Sequence, residues 1–167
     1  EATSGQHASK AELQTKVVGK VVIAARGYFR DLEAGILNKG PLPPRVGQPT
    51  NFTIHWQITN YANDIKEVEV RAPLMPGVLL DNFVNSSVDA KPTLDTSTNE
   101  IVWKINRISA TTGITNKPLE AVFQVQVIPA SQNLNQYMPL VGETKIKAKD
   151  DFAGVSLESV ASAITTA

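Results

Sequence analysis

Residues 51–59, Asn51-Phe52-Thr53-Ile54-His55-Trp56-Gln57-Ile58-Thr59, constrain the fold more than any other stretch of this chain. Phe52, Ile54, Trp56 and Ile58 alternate strictly with polar residues. Successive side chains of a strand point to opposite faces, so a period of two puts all four large apolar residues on one side. A helix would scatter them around its circumference. The stretch is therefore a β-strand that lays a Trp and a Phe into a core and turns His55, Gln57 and the threonines towards water. The rest of the sequence must supply the partners.

Several segments repeat the pattern. Residues 16–30 are long and β-branched, with Gly19 and Gly27 placed where a bulge or bend would let a strand switch sheets. Residues 31–50 hold four prolines and three glycines, too much punctuation for a regular element. After the central strand comes a turn-forming cluster, residues 60–64, and then Lys66-Glu67-Val68-Glu69-Val70-Arg71-Ala72. Val68, Val70 and Ala72 face inward, and the pair reads as a hairpin. Leu79, Leu80, Phe83 and Val84 follow a turn at Pro76-Gly77, and residues 85–99 read as a polar loop. Ile101, Trp103 and Ile105 share one face; so do Ala121, Phe123, Val125 and Val127, before Pro129 ends that strand. Residues 145–149 and 155–164 form a closing hairpin over residues 150–154. Seven to nine half-buried strands with turn signals between them, and no long amphipathic helix, argue for an antiparallel sandwich. Residues 1–15 lack periodicity and read as a flexible arm or linker, which leaves residues 16–167 as the domain.

Composition closes off several functions. A chain of 167 residues, 42% of them hydrophobic, can bury a core. Sixteen basic and sixteen acidic residues cancel, so no basic stripe points to nucleic acid. Cysteine is absent, which removes disulfides, thiolate zinc sites and a cysteine nucleophile together. No run approaches the roughly 18 apolar residues of a membrane span. Without an initiator Met or a signal peptide, the chain is expected to be a processed form or a segment of an exported protein.

The central segment resembles a known family. Pro43-Pro44-Arg45-Val46-Gly47 followed by Phe52-Thr53-Ile54 and Ile58-Thr59-Asn60 resembles the opening of the bacterial conserved-repeat domain. Val68-Glu69-Val70 with Leu74-Met75-Pro76-Gly77-Val78 is similar to its second stretch, and Asn99-Glu100-Ile101-Val102-Trp103-Lys104-Ile105 to its Val-x-Trp strand. The likeness covers residues 43–128. It departs at Asn99, where the family has Gly, and at Met75, an added residue. The resemblance implies an immunoglobulin-like sandwich, found in tandem in surface-anchored or secreted proteins, structural or adhesive in role and without catalytic residues.

Candidate sites are sparse. His55 on the polar face of its strand reads as solvated, and His7 lies in the arm; no ligand spacing joins them. Asp150 and Asp151, with Asp31, Asp64 and Asp81 on other loops, offer oxygen ligands for calcium, against the ordinary reading that Asp caps its own turn. No cofactor is otherwise implied. Ser156, Ser159 and Ser162 lack a Gly-x-Ser-x-Gly elbow, so hydrolase chemistry is not expected. Lys16, Lys20 and Lys104 are donors for a Lys–Asn isopeptide bond, but no Asn follows Asn135 to accept it on the closing strands. Asn51 and Asn85 match the glycosylation pattern.

Three functions remain. The first is a non-catalytic structural or adhesive module at the cell surface, whose partners are neighbouring copies or other surface proteins. In the second, Val17, Val18, Val21, Val22 and Ile23 form a strand that completes a neighbour's sheet, making a fibre or surface-layer subunit. The third is a carbohydrate-binding sandwich using Tyr28, Tyr61 or Tyr137.

Overall fold

The alternating stretch around Trp56 does form a strand, and it lies at the centre of a two-sheet sandwich in this computed structural model, which describes residues 17–167. The arm at residues 1–15, with His7, and Lys16 lie outside the described residues. In chain order the strands are β1 (Val21–Tyr28), β2 (Arg30–Asp31), β3 (Ile36–Leu37), β4 (Thr50–Asn60), β5 (Ile65–Pro73), β6 (Val78–Ser86) and β7 (Thr93–Asp95). Then come β8 (Glu100–Ile108), β9 (Leu119–Val127), β10 (Pro139–Val141), β11 (Thr144–Asp150), β12 (Ser156–Ala161) and β13 (Ile164–Thr165). One sheet has the order β1-β4-β9-β6, and the other β12-β11-β5-β8-β7. Every pairing is antiparallel.

The period-two patterns fill the space between the sheets. Ile54, Trp56 and Ile58 from β4 and Ala121, Phe123, Val125 and Val127 from β9 meet Val70, Ala72, Ile101 and Trp103 from the facing sheet, all fully buried. Trp56 packs against Phe123 edge to face, with ring centroids 4.9 Å apart at 75°, a geometry that suits the ring quadrupoles. Trp103 donates its indole N–H to Ala90 O at 2.9 Å, which pins the segment between β6 and β7 to the core. In β5 both Ile65 and Val68 are buried although they are three apart. Glu67 between them has φ +50°, and the β11–β5 register shifts there, so a bulge restores the inward parity.

Three expectations are corrected. The predicted hairpin of residues 51–59 with 66–72 does not form, because β4 and β5 belong to different sheets. Asn60 turns the chain across. Its buried amide donates to Asn63 O at 2.8 Å and Ser109 O at 3.0 Å, and its N–H to Thr112 O at 2.8 Å, tying the β4–β5 turn to the β8–β9 loop. Neither Gly19 nor Gly27 marks a bulge, for β1 pairs β4 in unbroken register from Val21↔Asn60 to Tyr28↔Thr53. These glycines serve close packing: a Cβ on Gly27 would lie 2.7 Å from Ile164, and one on Gly19 2.8 Å from Asp150. Finally, residues 31–50 and 85–99 are not plain loops. The first holds the β2–β3 ribbon, the second the end of β6 and all of β7.

The edges of both sheets are guarded. β1 lies against β12, with Ile23 N–H directed at Ser159 Oγ at 3.4 Å. On the opposite side β6 carries a register shift between Leu80 and Val84, and β7 has three residues. Bulged or very short edges resist pairing with another chain. Residues 19–21 sit at the pole of the β4–β5 turn, whereas Thr166 bonds Met138 O at the other pole, beside the β5–β6 turn. A chain continuing past both points would enter at one pole and leave at the other.

Candidate functional site

Outward-pointing residues of β1, β4 and β9 form rows across the four-stranded sheet. Arg26 stands opposite His55, and His55 opposite Val122; Ala24 stands opposite Gln57, and Gln57 opposite Glu120. Sequence reading turns this face to water. In the structure the segment carrying β2 and β3 folds back over it as a strap. Asn38 anchors the strap: its amide donates to Phe29 O at 2.9 Å and Thr53 Oγ1 at 2.7 Å, and its carbonyl accepts from Gln124 at 2.8 Å. Thr53, a nominally solvent-facing residue, is thereby fully buried. Replacing Asn38 with alanine is expected to lower stability by about 1–2 kcal/mol and to raise amide exchange in residues 29–40 first, measured by hydrogen–deuterium exchange.

His55 is consequently not a solvated strand histidine. Its Nε2 lies 2.5 Å from Asp31 Oδ2 on the strap and its Nδ1 3.6 Å from Glu120 Oε2, and its side chain is 13% exposed. Tyr28 meets the imidazole edge-on, 5.1 Å between centroids. Each ring nitrogen faces a carboxylate. That is the geometry of a clamp holding the strap down. Gln57 donates to the same Glu120 oxygen at 2.8 Å.

Beside the clamp, under the tip of the strap, opens a cavity of about 490 Å³ walled by Arg26, Tyr28, Arg30, Glu33, His55 and Gln57. A second hollow of about 270 Å³ lies towards β6, by Phe83, Asn85 and Ser87. Ala34 and Glu120 line both, so the two hollows adjoin beside the strap, the first being the groove over β1 and β4. Sequence reading missed it, because its wall is the strap and two-residue strands leave no periodic signal.

The calcium candidates are engaged otherwise. Asp150, fully buried, accepts from Gly19 N–H at 2.7 Å, from Asn63 Nδ2 at 3.0 Å, and from Phe152 and Ala153 N–H, each at 2.9 Å. Burial alone would raise its carboxyl; the hydrogen bonds from Ala153, Asn63, Gly19 and Phe152 outweigh that and hold it below its ordinary value. Asp151 pairs with Lys66 at 3.1 Å and Arg107 at 2.8 Å, and Asp64 with Arg107 at 2.7 Å. Asp81 accepts from Asn51 at 2.6 Å. Asp150 thus caps its own turn through Phe152 and Ala153, while Asp151, Asp64 and Asp81 are held by side chains from other segments.

Other candidates are scattered. Lys20 Nζ stands 5.2 Å from the centre of the Tyr61 ring, and Lys104 is exposed. Asn85 is exposed on β6, whereas Asn51 is half-buried. Tyr61 and Tyr137 sit away from the groove, which Tyr28 alone of the three lines. Of the assembly-strand residues, Val21 and Ile23 are buried inside β1 and Val22 is half-buried, while Val17 and Val18 precede the strand and are exposed. The outer face of the second sheet carries charges that satisfy one another: Arg71 bonds Glu69 and reaches Asp95 and Glu100 at 3.4 and 3.5 Å. The hydroxyl and then the N–H of Ser97 bring Asp95 down to about 2.

No family model matches the sequence, and no curated protein matches it significantly, so the conserved-repeat resemblance finds no family-level support. Solved structures do match. BcpA, the major pilin subunit of Bacillus cereus, is 13% identical with a TM-score of 0.52, over 87% of this chain and 39% of that one. The full-length major pilin SpaD of Corynebacterium diphtheriae is 8% identical, also at 0.52, over 87% of this chain and 34% of that one. This is an immunoglobulin-like β-sandwich. At such identities the likeness establishes the fold alone, and the chain spans well under half the length of the pilin chains it matches.

Proposed function

We propose that this sandwich is a non-catalytic structural or adhesive module of a bacterial surface protein, working in series with neighbouring domains outside the cell. The observation that carries the reading is the pairing of β1 with β4 along eight residues of the same chain. The domain completes its own sheet, guards both edges and holds the two ends of its described chain at opposite poles, which suits a spacer or repeat. The fold shared with pilin subunits and the motifs of residues 43–128 support a place at the surface and polymerisation with similar domains. The clamp of His55 between two carboxylates ties the strap to the sheet, which suits a structural role.

The fibre reading, in which residues 17–23 complete a neighbour, is disfavoured by the burial of Val21 and Ile23 within their own sandwich. Light scattering after size exclusion separates the two. The full chain is expected to run as a stable monomer, and a version starting at Gly40 to aggregate, having lost β1 and the strap. Regular fibres from the full chain, together with capture of a peptide of residues 16–30 by a soluble truncated form, would overturn the module reading.

A further inference from the structure

The chain is fastened before β1 begins. Val17 O accepts from Asn63 Nδ2 at 2.9 Å, Gly19 N–H donates to Asp150 Oδ2 at 2.7 Å, and Lys20 O accepts from Tyr61 N–H at 2.9 Å. Tyr61 and Asn63 lie on the turn from β4 to β5, and Asp150 ends β11 in the five-stranded sheet. Residues 17–20 are thus tied to both sheets, whereas β1 itself joins the four-stranded one. At the other pole, Thr166 N–H donates to Met138 O at 2.9 Å, and its hydroxyl accepts from Met138 N–H at 3.0 Å. The strand directions give these ties a meaning. β1 runs away from the entry pole, from Val21 opposite Asn60 to Tyr28 opposite Thr53. β12 runs the same way, from Ser156 opposite Lys149 to Ala161 opposite Thr144. Tension that draws residues 17 and 166 apart therefore pulls β1 and β12 lengthwise in opposite directions. Ladder hydrogen bonds lie perpendicular to the strands, so such a load falls at once on eight residue pairs of β1 with β4 and six of β11 with β12. A pair opened from one end breaks rung by rung, and shear demands the larger force.

We propose that the domain bears tension between its poles, and that residues 17–20 act as a buckle passing the load to both sheets. The inference deepens the series reading above and rests on it for a source of tension. Without the buckle, force entering at residue 17 would draw β1 out along β4. Asp150 diverts part of that force into β11, and through it into β5 and β12. Capping its own turn takes only Phe152 and Ala153; Gly19 and Asn63 are reached in addition, from distant segments. A carboxylate suits the task, because hydrogen bonds to a charged acceptor are about twice as strong as neutral ones. Full burial also keeps water from replacing the donors one by one. Further along, Ile23 N–H is directed at Ser159 Oγ and couples the two strands that tension would slide apart.

Magnetic tweezers on the full chain test this, because a chain without cysteine accepts handles at chosen positions. V17C/A167C loads the domain pole to pole, and E143C/S162C opens β11 and β12 from the end at Thr144 and Ala161. All four positions are exposed. Pole-to-pole loading is expected to need about twice the force, or more, for the same unfolding rate. D150A should shorten the pole-to-pole lifetime at fixed force about ten-fold. It should shorten the E143C/S162C lifetime by less than about three-fold, because those rungs yield before the buckle is reached. N63A releases Val17 O while Gly19 stays bonded to Asp150, so it should act in the same direction more mildly, and it serves if D150A does not fold. Equal forces in the two geometries would overturn the proposal. So would D150A or N63A shortening both lifetimes alike, since that marks a general loss of stability. Either result would leave the module reading standing, which light scattering decides.

Discussion

Replacing Trp56 with alanine is expected to destabilise the chain by about 3–5 kcal/mol, the range for deleting a large aromatic from a packed core. Trp56 is fully buried in the middle strand of its sheet, and its ring touches Phe123. Cores are close-packed, so the space it leaves cannot collapse without moving both sheets. Domains have 5–15 kcal/mol in total, and the loss would remove a large share of it. Chemical denaturation reads it as a fall in the midpoint. A comparison of the two tryptophans sharpens the test. Trp56 Nε1 has no hydrogen-bond partner among the described residues, whereas Trp103 Nε1 bonds Ala90 O at 2.9 Å. Trp103→Phe therefore gives up a buried hydrogen bond as well as area, and should cost about 1 kcal/mol more than Trp56→Phe. The reverse order would contradict this account of the core.

Asp150 is the second position with a large expected effect. Its carboxylate joins three segments distant in sequence: the entry of β1 through Gly19, the β4–β5 turn through Asn63 and the β11–β12 turn through Phe152 and Ala153. Asp150→Ala leaves those donors without an acceptor at a buried point and should cost about 3 kcal/mol. Asp150→Asn should cost nearly as much despite its shape, because its NH2 would face N–H donors. The pH dependence follows from the lowered carboxyl. With its folded value below the ordinary 3.8, Asp150 supplies stability that is complete above about pH 4 and is lost as the pH falls through the folded value. Unfolding midpoints between pH 2 and pH 6 should therefore fall less steeply in Asp150→Ala than in the unaltered chain. An equal slope would show that the carboxylate is not the tie described.

How much of this was legible in the sequence depends on which interactions are local. Period two assigns each residue to a face, so the inward sets of β4, β8 and β9 were readable from Phe52, Trp103 and Phe123 and their neighbours. It does not say which strand lies alongside. The turn at residues 60–64 looked like a hairpin, and only the hydrogen bonds of Asn60 to Ser109 and Thr112, about fifty residues away, show it crossing between sheets. For the same reason Asp150 read as a turn residue with spare oxygens, since Gly19, one of its donors, is 131 positions distant. A face patterned for water can still be covered, as the strap covers Thr53 and His55. The strap's own signal was proline and glycine punctuation, which marks a loop without saying where it lies. The groove beneath it, lined by three separate stretches of the chain at residues 24–34, 55–57 and 120, had no sequence signature.

The central claim is that β1 closes its own sandwich. The most direct measurement places a cysteine at Ala24 and another at Gln57, directly opposite each other on β1 and β4, in a chain that has no cysteine of its own. Opposed residues of an antiparallel pair have Cα atoms about 4.5–5.5 Å apart, within the reach of a disulfide. After mild oxidation of the full chain, electrophoresis without reductant should show a monomer with the bond inside one chain, confirmed by peptide mass mapping. A ladder of disulfide-linked oligomers joining position 24 of one chain to position 57 of another would show that the strand belongs to a neighbour, and would contradict the account.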